Sequence, residues 1–238
     1  MRRDLVFTAY NRPEYFYNTI TSWNAARNLR NWKASFFIEP SPLQDVIAEI
    51  AITLETNVVT TINETVQGVL VNPWNALNTA FLDGADFVVL AEDDVVVSQD
   101  TLEYFEWASI EYQTGHNNLL VNAFSQIGGA KQNQVTRDAR FSPLIWGVWK
   151  DRWEETLRDT WDKDYSTGNP DGSEAGWDWN INRIIAANNY TVIKPLQSRS
   201  DHIGEFDGTH MTPELFDSSR GVDFKQARGR QRYIEVEL

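Results

Sequence analysis

The sequence predicts an α/β protein built on one doubly wound, mostly parallel central sheet with helices on both faces. Three observations carry that expectation. Short β-branched and aromatic runs alternate with amphipathic helical stretches through the first hundred residues. The run Phe87-Val88-Val89-Leu90-Ala91 is apolar at every position, as a strand covered on both faces requires. No Gly/Ser/Pro-rich linker divides the 238 residues, a length that one large core can serve.

The elements follow in order. Leu5 to Ala9 forms the first strand. Asn11 caps the helix that follows, Pro13 suits its first turn, and Phe16, Ile20 and Trp23 share one face. Ser35 to Ile38 is the second strand and ends at Glu39-Pro40. Ser41-Pro42 opens a helix with Leu43, Val46, Ile47 and Ile50 inward, and Asn57 to Ile62 is a β-branched third strand. Asn72-Pro73 repeats the cap-plus-proline signal ahead of the stripe Trp74, Leu77, Ala80 and Phe81, and Gly84 stops that helix.

Past the central strand, Ser98 to Thr114 is helical, with Leu102, Phe105 and Ile110 on the core side and Gly115 as its stop. Leu119 to Ala123 is a strand, residues 128–140 read as a polar surface loop, and apolar Phe141 to Trp149 leads into a helix from Lys150 to about Thr160. After a polar stretch, Gly176 opens a helix that buries Ile181, Ile184 and Ile185, and Tyr190 to Lys194 is a strand. Residues 1–217 read as one domain. Residues 218–238 read as a basic tail carrying Lys225, Arg228, Arg230 and Arg232, a solvated segment, an oligomer contact or a phosphate-binding patch.

The formal charge of −13 argues against attraction of nucleic acid over the whole surface. The chain has no cysteine, so disulfides and thiolate metal sites are excluded. No stretch is long and apolar enough for a signal peptide or a membrane span, and the expectation is a soluble, cytoplasmic protein. Of ten tryptophans, six fall between Trp146 and Trp179, a cluster that fits either core filling or stacking on a flat ligand.

The chemistry concentrates where the central strand ends, at Glu92-Asp93-Asp94. Three adjacent carboxylates repel one another, and a divalent cation removes that repulsion. A solvated acidic turn is the plainer explanation. The mouth of such a strand is where open α/β sheets bind ligands. Arg12 sits at the first strand-to-helix turn, where a nucleotide would approach. No Gly-x-Gly-x-x-Gly and no Walker-type loop is present, so a bound nucleotide must have its charge met in another way. Asp178, flanked by Trp177 and Trp179, complements a helix dipole and also has the makings of a base with an apolar wall. The segment from Ser198 to His210 has little periodicity, two glycines and two of the three histidines, and reads as a functional loop.

Taken together, Asn11-Arg12-Pro13-Glu14 after the first strand, Glu92-Asp93-Asp94 followed by Val95-Val96-Val97-Ser98, Phe141-Ser142-Pro143-Leu144-Ile145-Trp146, Trp177-Asp178-Trp179, and Ile193-Lys194-Pro195 through Ser198-Arg199 resemble, in this order, the N-acetylglucosaminyltransferase I family, glycosyltransferase family 13. The departures are a single Asp between Trp177 and Trp179, where the family has two, and Ser142-Pro143 in place of Pro-Gly. The resemblance implies a GT-A (Rossmann-like) fold and an inverting, metal-dependent transfer from a nucleotide-sugar donor, a UDP-sugar first of all. It implies Asp94 as ligand of Mn²⁺ or Mg²⁺ and Asp178 as general base. Arg12, Glu39, Glu92, Asp93 and Trp177 would contact the donor. A lid containing Ser198, Arg199, His202, Gly204 and His210 would close over it. The acceptor stays open between a glycan, a protein, a small molecule and a hydroxylated DNA base. The residues alone also admit a sugar nucleotidyltransferase or a non-catalytic carbohydrate-binding protein, and an added metal-ligand role for His202 or His210.

Overall fold

The computed structural model describes residues 1–128, 131–206, 212–226 and 230–238. Its strands are β1 (Arg3–Ala9), β2 (Lys33–Ile38), β3 (Asn57–Ile62), β4 (Phe87–Glu92), β5 (Val95–Val97), β6 (Asn118–Asn122), β7 (Gln134–Asp138), β8 (Trp146–Trp149), β9 (Thr191–Pro195), β10 (Ser200–His202) and β11 (Ile234–Glu235). Its helices are α1 (Pro13–Asn24), α2 (Gln44–Ala51), α3 (Gly68–Leu82), α4 (Thr101–Glu111), α5 (Lys150–Arg152, continued as a π turn over Trp153–Leu157), α6 (Trp177–Asn188) and α7 (Pro213–Ser218).

Among the described residues, nine strands form one sheet in the order β11-β7-β9-β6-β8-β4-β1-β2-β3, and β5 and β10 make a second, two-stranded one. The β3-β2-β1-β4 half is parallel throughout, and β8 is inserted antiparallel between β4 and β6. Strand alternation divides the core. Leu5, Phe7, Phe87 and Val89 face a layer containing α1, α2 and α4, while Val6, Val88 and Leu90 face α3, α5 and α6. Each fully buried aliphatic or aromatic side chain of this kind contributes about 1.5–3 kcal/mol. Both faces are therefore covered, as the apolar run of β4 predicts.

Several local expectations give way. The N-cap position of α1 is Arg12, with no side-chain cap. In α2 only Ile47 and Ala51 are buried, and Leu43 and Val46 are exposed. Ile110 of α4 is 64% exposed, because the buried face of that helix runs through Leu102, Phe105, Ala108 and Ser109 and leaves Ile110 on the outer side. The polar segment read as a loop contains β7, which pairs with β9 through backbone bonds that need no apolar side chains. The basic C-terminal segment contributes buried Tyr233 to the core and β11 to the sheet edge.

Helix α3 starts five residues earlier than Asn72-Pro73 suggests, with Gln67 at its cap position. The Glu39 carboxylate accepts the backbone N–H of Gln67 and of Gly68, both at 2.9 Å, and so terminates the helix from a distant strand. Asn72 is buried and donates to the Phe37 carbonyl at 3.0 Å. Pro73 lies inside the helix and cannot donate to Val69 four residues back. That carbonyl is taken instead by the Trp177 indole N–H at 3.0 Å.

Candidate active site

The parallel registers Ala9↔Ile38 and Thr8↔Glu92 bring the carboxyl ends of β1, β2 and β4 side by side. Arg12, Glu39 and the cluster Glu92-Asp93-Asp94 thus share one edge of the sheet, the edge where such folds bind ligands. The chain turns at Asp93-Asp94 and enters β5. The backbone N–H of Tyr10 donates to Asp93 Oδ2 at 3.1 Å, and the Thr19 hydroxyl donates to the Asp93 carbonyl at 3.0 Å. The Arg12 guanidinium spans the pair, meeting Asp93 Oδ1 at 2.5 Å and Asp94 Oδ2 at 2.8 Å.

The small sheet adds the other wall. Pairing of His202 with Val95 sets the imidazole beside Asp94, with Nε2 3.1 Å from Oδ2. The Ser219 hydroxyl uses its single proton on the Phe216 carbonyl at 2.9 Å, so His202 Nδ1 is the donor in the 2.8 Å bond to Ser219 Oγ. Nε2 therefore faces Asp94 either as a second N–H or as a lone pair open to a cation. The Ile203 N–H donates to the Asp94 carbonyl at 2.8 Å. A Cβ on Gly204 would stand 2.2 Å from Asp94 Oδ2, so only glycine lets the chain pass this close.

Charge is distributed unevenly over the three acids. Burial, then the neighbouring Asp94 and Asp93, push the Glu92 carboxyl up to about 8. Burial also raises Asp93, to about 6, although Arg12 opposes it. For Asp94 burial again acts against ionisation, but the hydrogen bond from His202 and the charge of Arg12 outweigh it and hold the carboxyl below its usual range. Asp94 is the acid held most firmly ionised, and Glu92 the one that keeps its proton at neutral pH. A folded-state value above the unfolded one stabilises the fold at low pH, and that contribution is lost as pH rises from about 4.5 to about 8 for Glu92. Metal-free protein is therefore expected to melt at a lower temperature at pH 8 than at pH 5.5, with a smaller difference in Glu92→Gln. Equal slopes for the two proteins in a pH series of thermal melts would contradict this.

Whether these residues suit a divalent cation can be tested on the side chains themselves. Among the described residues no group of three or more His, Asp or Glu side chains converges as a metal cage. Asp94 Oδ1, however, is buried and has no hydrogen-bond partner among the described residues, and the His202 imidazole adjoins the same carboxylate. One or two side-chain ligands and one orphaned carboxylate oxygen fit a Mg²⁺- or Mn²⁺-type ion, which takes most of its shell from water and substrate phosphate.

The remaining expected site residues divide. Asp178, in the first turn of α6, is partly buried, and its charge bears on Glu92. Trp177 beside it is only 5% exposed and stacks on Trp161 at 4.5 Å, so its indole is part of the core rather than an open face. Glu39 lies at the right edge with both oxygens on the amides that start α3. The loop expected to close as a lid is packed into the fold as far as Gly204. Ser198 is buried, donating to the Ser200 carbonyl at 2.6 Å and accepting the Ser125 N–H at 3.1 Å. Arg199 is fully buried against Asp100, with 2.9 Å between Nε and Oδ2. His210 lies outside the described residues.

Sequence reasoning missed Asp100, Ser219, Tyr233 and Asp162. Asp162 is the one with a local signal. The spacing Asp162, Asp164, Ser166 is that of side chains that bond to the backbone a few residues on, and Asp162 does so.

Neither a protein-family model nor a curated protein matches the chain. Solved structures do. S. aureus TarS 1-349 in complex with UDP-GlcNAc is 14% identical with a TM-score of 0.58, over 92% of this chain and 64% of that one. TarS 1-349 alone is 15% identical with a TM-score of 0.54, over 82% and 60%. Mannosyltransferase PcManGT from Pyrobaculum calidifontis, in complex with GDP-Man and Mn²⁺, is 14% identical with a TM-score of 0.53, over 82% and 54%. The chain spans 54% to 64% of the length of these three structures. The fold is thus the GT-A type found in glycosyltransferases. No helix among the described residues is long and apolar enough to cross a membrane.

Proposed function

We propose that this chain is a metal-dependent glycosyltransferase that moves a sugar from a nucleotide-sugar donor to an acceptor hydroxyl with inversion at the anomeric carbon. The observation that carries the reading is Asp94: a charged carboxylate at the ligand-binding edge of a GT-A sheet, with a buried oxygen that has no hydrogen-bond partner among the described residues. The closer tie to the N-acetylglucosaminyltransferase I family rests on the order of its motifs around Glu92-Asp93-Asp94 and Trp177-Asp178-Trp179. It makes UDP-sugars the first donors to try.

In this reading Asp94 holds Mn²⁺ or Mg²⁺, with His202 as the adjacent candidate ligand, and the ion would offset the charge that gathers on the leaving diphosphate. Arg12, whose charge lies between Asp93 and Asp94 in the free protein, is the side chain available to the donor phosphates. Glu92 and Asp93 hydrogen-bond donor hydroxyls, and the protonated form of Glu92 does so as a donor. Glu39 lines the nucleotide end, and its bonds to α3 fix where that end lies. Asp178 takes the proton of the acceptor hydroxyl. The freed oxygen electron pair forms the new bond to the anomeric carbon while the carbon–oxygen bond to the diphosphate breaks. One base and one displacement give inversion. Trp177 sets the first turn of α6, and therefore the height of Asp178, through its stack on Trp161 and its bond to α3.

The test is nucleotide release without an acceptor, using UDP-, GDP- and dTDP-sugars with Mn²⁺ or with EDTA. Slow release from one donor, present with Mn²⁺ and absent with EDTA, is the expected result. No release and no metal-dependent donor binding by calorimetry would leave a carbohydrate-binding protein on a transferase fold. Pyrophosphate release from a nucleoside triphosphate would indicate a sugar nucleotidyltransferase. Retention of the donor's anomeric configuration in the product, read by NMR, would overturn inversion alone.

A further inference from the structure

The central sheet ends in two unlike edges. At one, β11 contributes only Ile234 and Glu235, within a charged stretch of chain. Short, charged edges of that kind keep a sheet from adding a further strand. At the other, β3 runs for six residues as Asn-Val-Val-Thr-Thr-Ile. It contains no proline and no bulge, and its register with β2 is unbroken from Asn57 to Ile62. No charged residue occurs from Thr56 to Asn63. All of its side chains except Val58 are exposed, and among the described residues β2 is the only strand beside it.

The backbone of this edge has a defined direction. The Asn63 N–H donates to the Ile38 carbonyl at 2.9 Å, which continues the ladder with β2. Backbone groups alternate in direction along a strand, so Asn57, Val59 and Thr61 also turn theirs toward β2. Val58, Thr60 and Ile62 turn theirs outward. A row of outward N–H and C=O groups is a template for one more strand.

The template is complementary to itself. An antiparallel neighbour sets outward-facing residues opposite one another, because such pairs exchange both bonds. A two-fold axis through Thr60 does this with a second copy of the same strand. Thr60 then faces Thr60 and Val58 faces Ile62, while Val59 meets Thr61 and Asn57 meets Asn63. β-branched side chains thus pair across the axis, a favourable combination. In the same register Glu55 falls opposite Thr65 and Glu64 opposite Thr56, so no two carboxylates stand face to face. The chain before and after β3 also exposes apolar side chains, Ile52 and Val66 among them. With a formal charge of −13, two copies repel over most of their surface, and this uncharged edge is where they approach with least repulsion.

We propose that β3 is the contact of a two-fold dimer whose central sheet runs without a break from one copy into the other. A contact of this kind uses the same patch on both copies and closes on itself. Because the two strands are antiparallel, the carboxyl ends of β1, β2 and β4 point in opposite directions in the two copies. The two candidate active sites therefore open on opposite edges of the joined sheet. The dimer does not depend on the transferase reading.

The test is sedimentation velocity on the full chain from low to high micromolar concentration. Wild-type protein is expected to pass from monomer to dimer as concentration rises, and the dimer to strengthen with added salt, which screens the repulsion. Thr60→Lys sets two ammonium groups against each other at the axis, and is expected to raise the dissociation constant at least tenfold. Thr60→Val is expected to keep the dimer, and circular dichroism checks that both variants are folded. Hydrogen exchange locates the contact in the wild-type protein without any substitution. The amides of Val58, Thr60 and Ile62 are expected to exchange at least tenfold more slowly at the highest concentration than at the lowest. A monomer throughout overturns the proposal and leaves the edge to a strand of another protein. A dimer that Thr60→Lys does not weaken, or in which those three amides exchange at an unchanged rate, is joined elsewhere and overturns it as well.

Discussion

Asp94→Ala is expected to lower metal-dependent nucleotide release by roughly three orders of magnitude, about 4 kcal/mol of lost stabilisation. The effect is large because the substitution removes the carboxylate that the site holds most firmly ionised and whose Oδ1 has no partner among the described residues. Burial, Asp94 and Asp93 hold the proton on Glu92, and Asp93 itself is raised to about 6. Glu92 replaces Asp94 only by giving up a proton, and Asp93 only by giving up the bonds it makes to Arg12 and Tyr10. Arg12 and His202 both lose a partner on Oδ2, so the variant changes the charge around the donor as well as the metal ligand. Asp94→Asn separates the two effects. It keeps the shape, and an amide oxygen is a poorer ligand for a hard cation. The measurement is release rate against Mn²⁺ concentration for the three proteins. A rate in Asp94→Ala within tenfold of wild type would mean that the cation is held elsewhere and that the reading of the acidic cluster is wrong.

Arg199→Met is expected to carry the largest cost in stability, about 3–5 kcal/mol, because it strands a buried carboxylate. Arg199 and Asp100 are both fully buried. Arg199 also donates to the Gln197 carbonyl at 2.8 Å and to the Gln132 carbonyl. Asp100 receives the Ser98 hydroxyl at 2.8 Å and the Tyr233 hydroxyl at 3.0 Å. One ion pair thus ties the segment after β9, the start of α4 and the C-terminal segment into one unit. The Arg199 carbonyl accepts the Ser98 N–H at 2.8 Å, which holds β10 against β5 and His202 against Asp94. For a chain of this size the loss corresponds to a fall in Tm of about 6–20 °C. The double variant Arg199→Met/Asp100→Asn is expected to recover part of it, since the orphaned charge is gone. Thermal melts of both single variants and the double decide the matter. A single-variant change under about 2 °C would show that the pair does not hold these segments together.

The arginine in this network illustrates the boundary between sequence and structure. Ser198-Arg199 is legible as a motif, and its position in a glycine-containing, poorly periodic segment suggests a lid. Its partner, however, lies 99 residues away, at the cap position before α4. No local pattern announces an ion pair across that separation, so the segment reads as mobile until its buried contacts are known. The start of α3 fails for the same reason. Asn72-Pro73 carries the local marks of a helix start, but Glu39 supplies the terminating acceptor and Trp177 the missing donor, and both come from other elements. Strand β7 was illegible because an edge-ward strand of Gln, Val, Thr, Arg and Asp pairs through its backbone and leaves little apolar periodicity.

The sequence by itself determined the alternation of strands and helices, the central strand buried on both faces, and the placement of Arg12, Glu39 and Glu92-Asp93-Asp94 at strand ends. Those features follow from hydrophobic period and chain order, which are local and survive in any fold that buries the apolar faces. Only the tertiary structure decided which of the three carboxylates is held most firmly ionised, that His202 and Gly204 close on Asp94, that Trp177 is core, and that Arg199 is a buried tie. Those outcomes depend on burial and on partners brought in from distant segments, and desolvation and pairing are properties of a place in the fold rather than of a residue in a string.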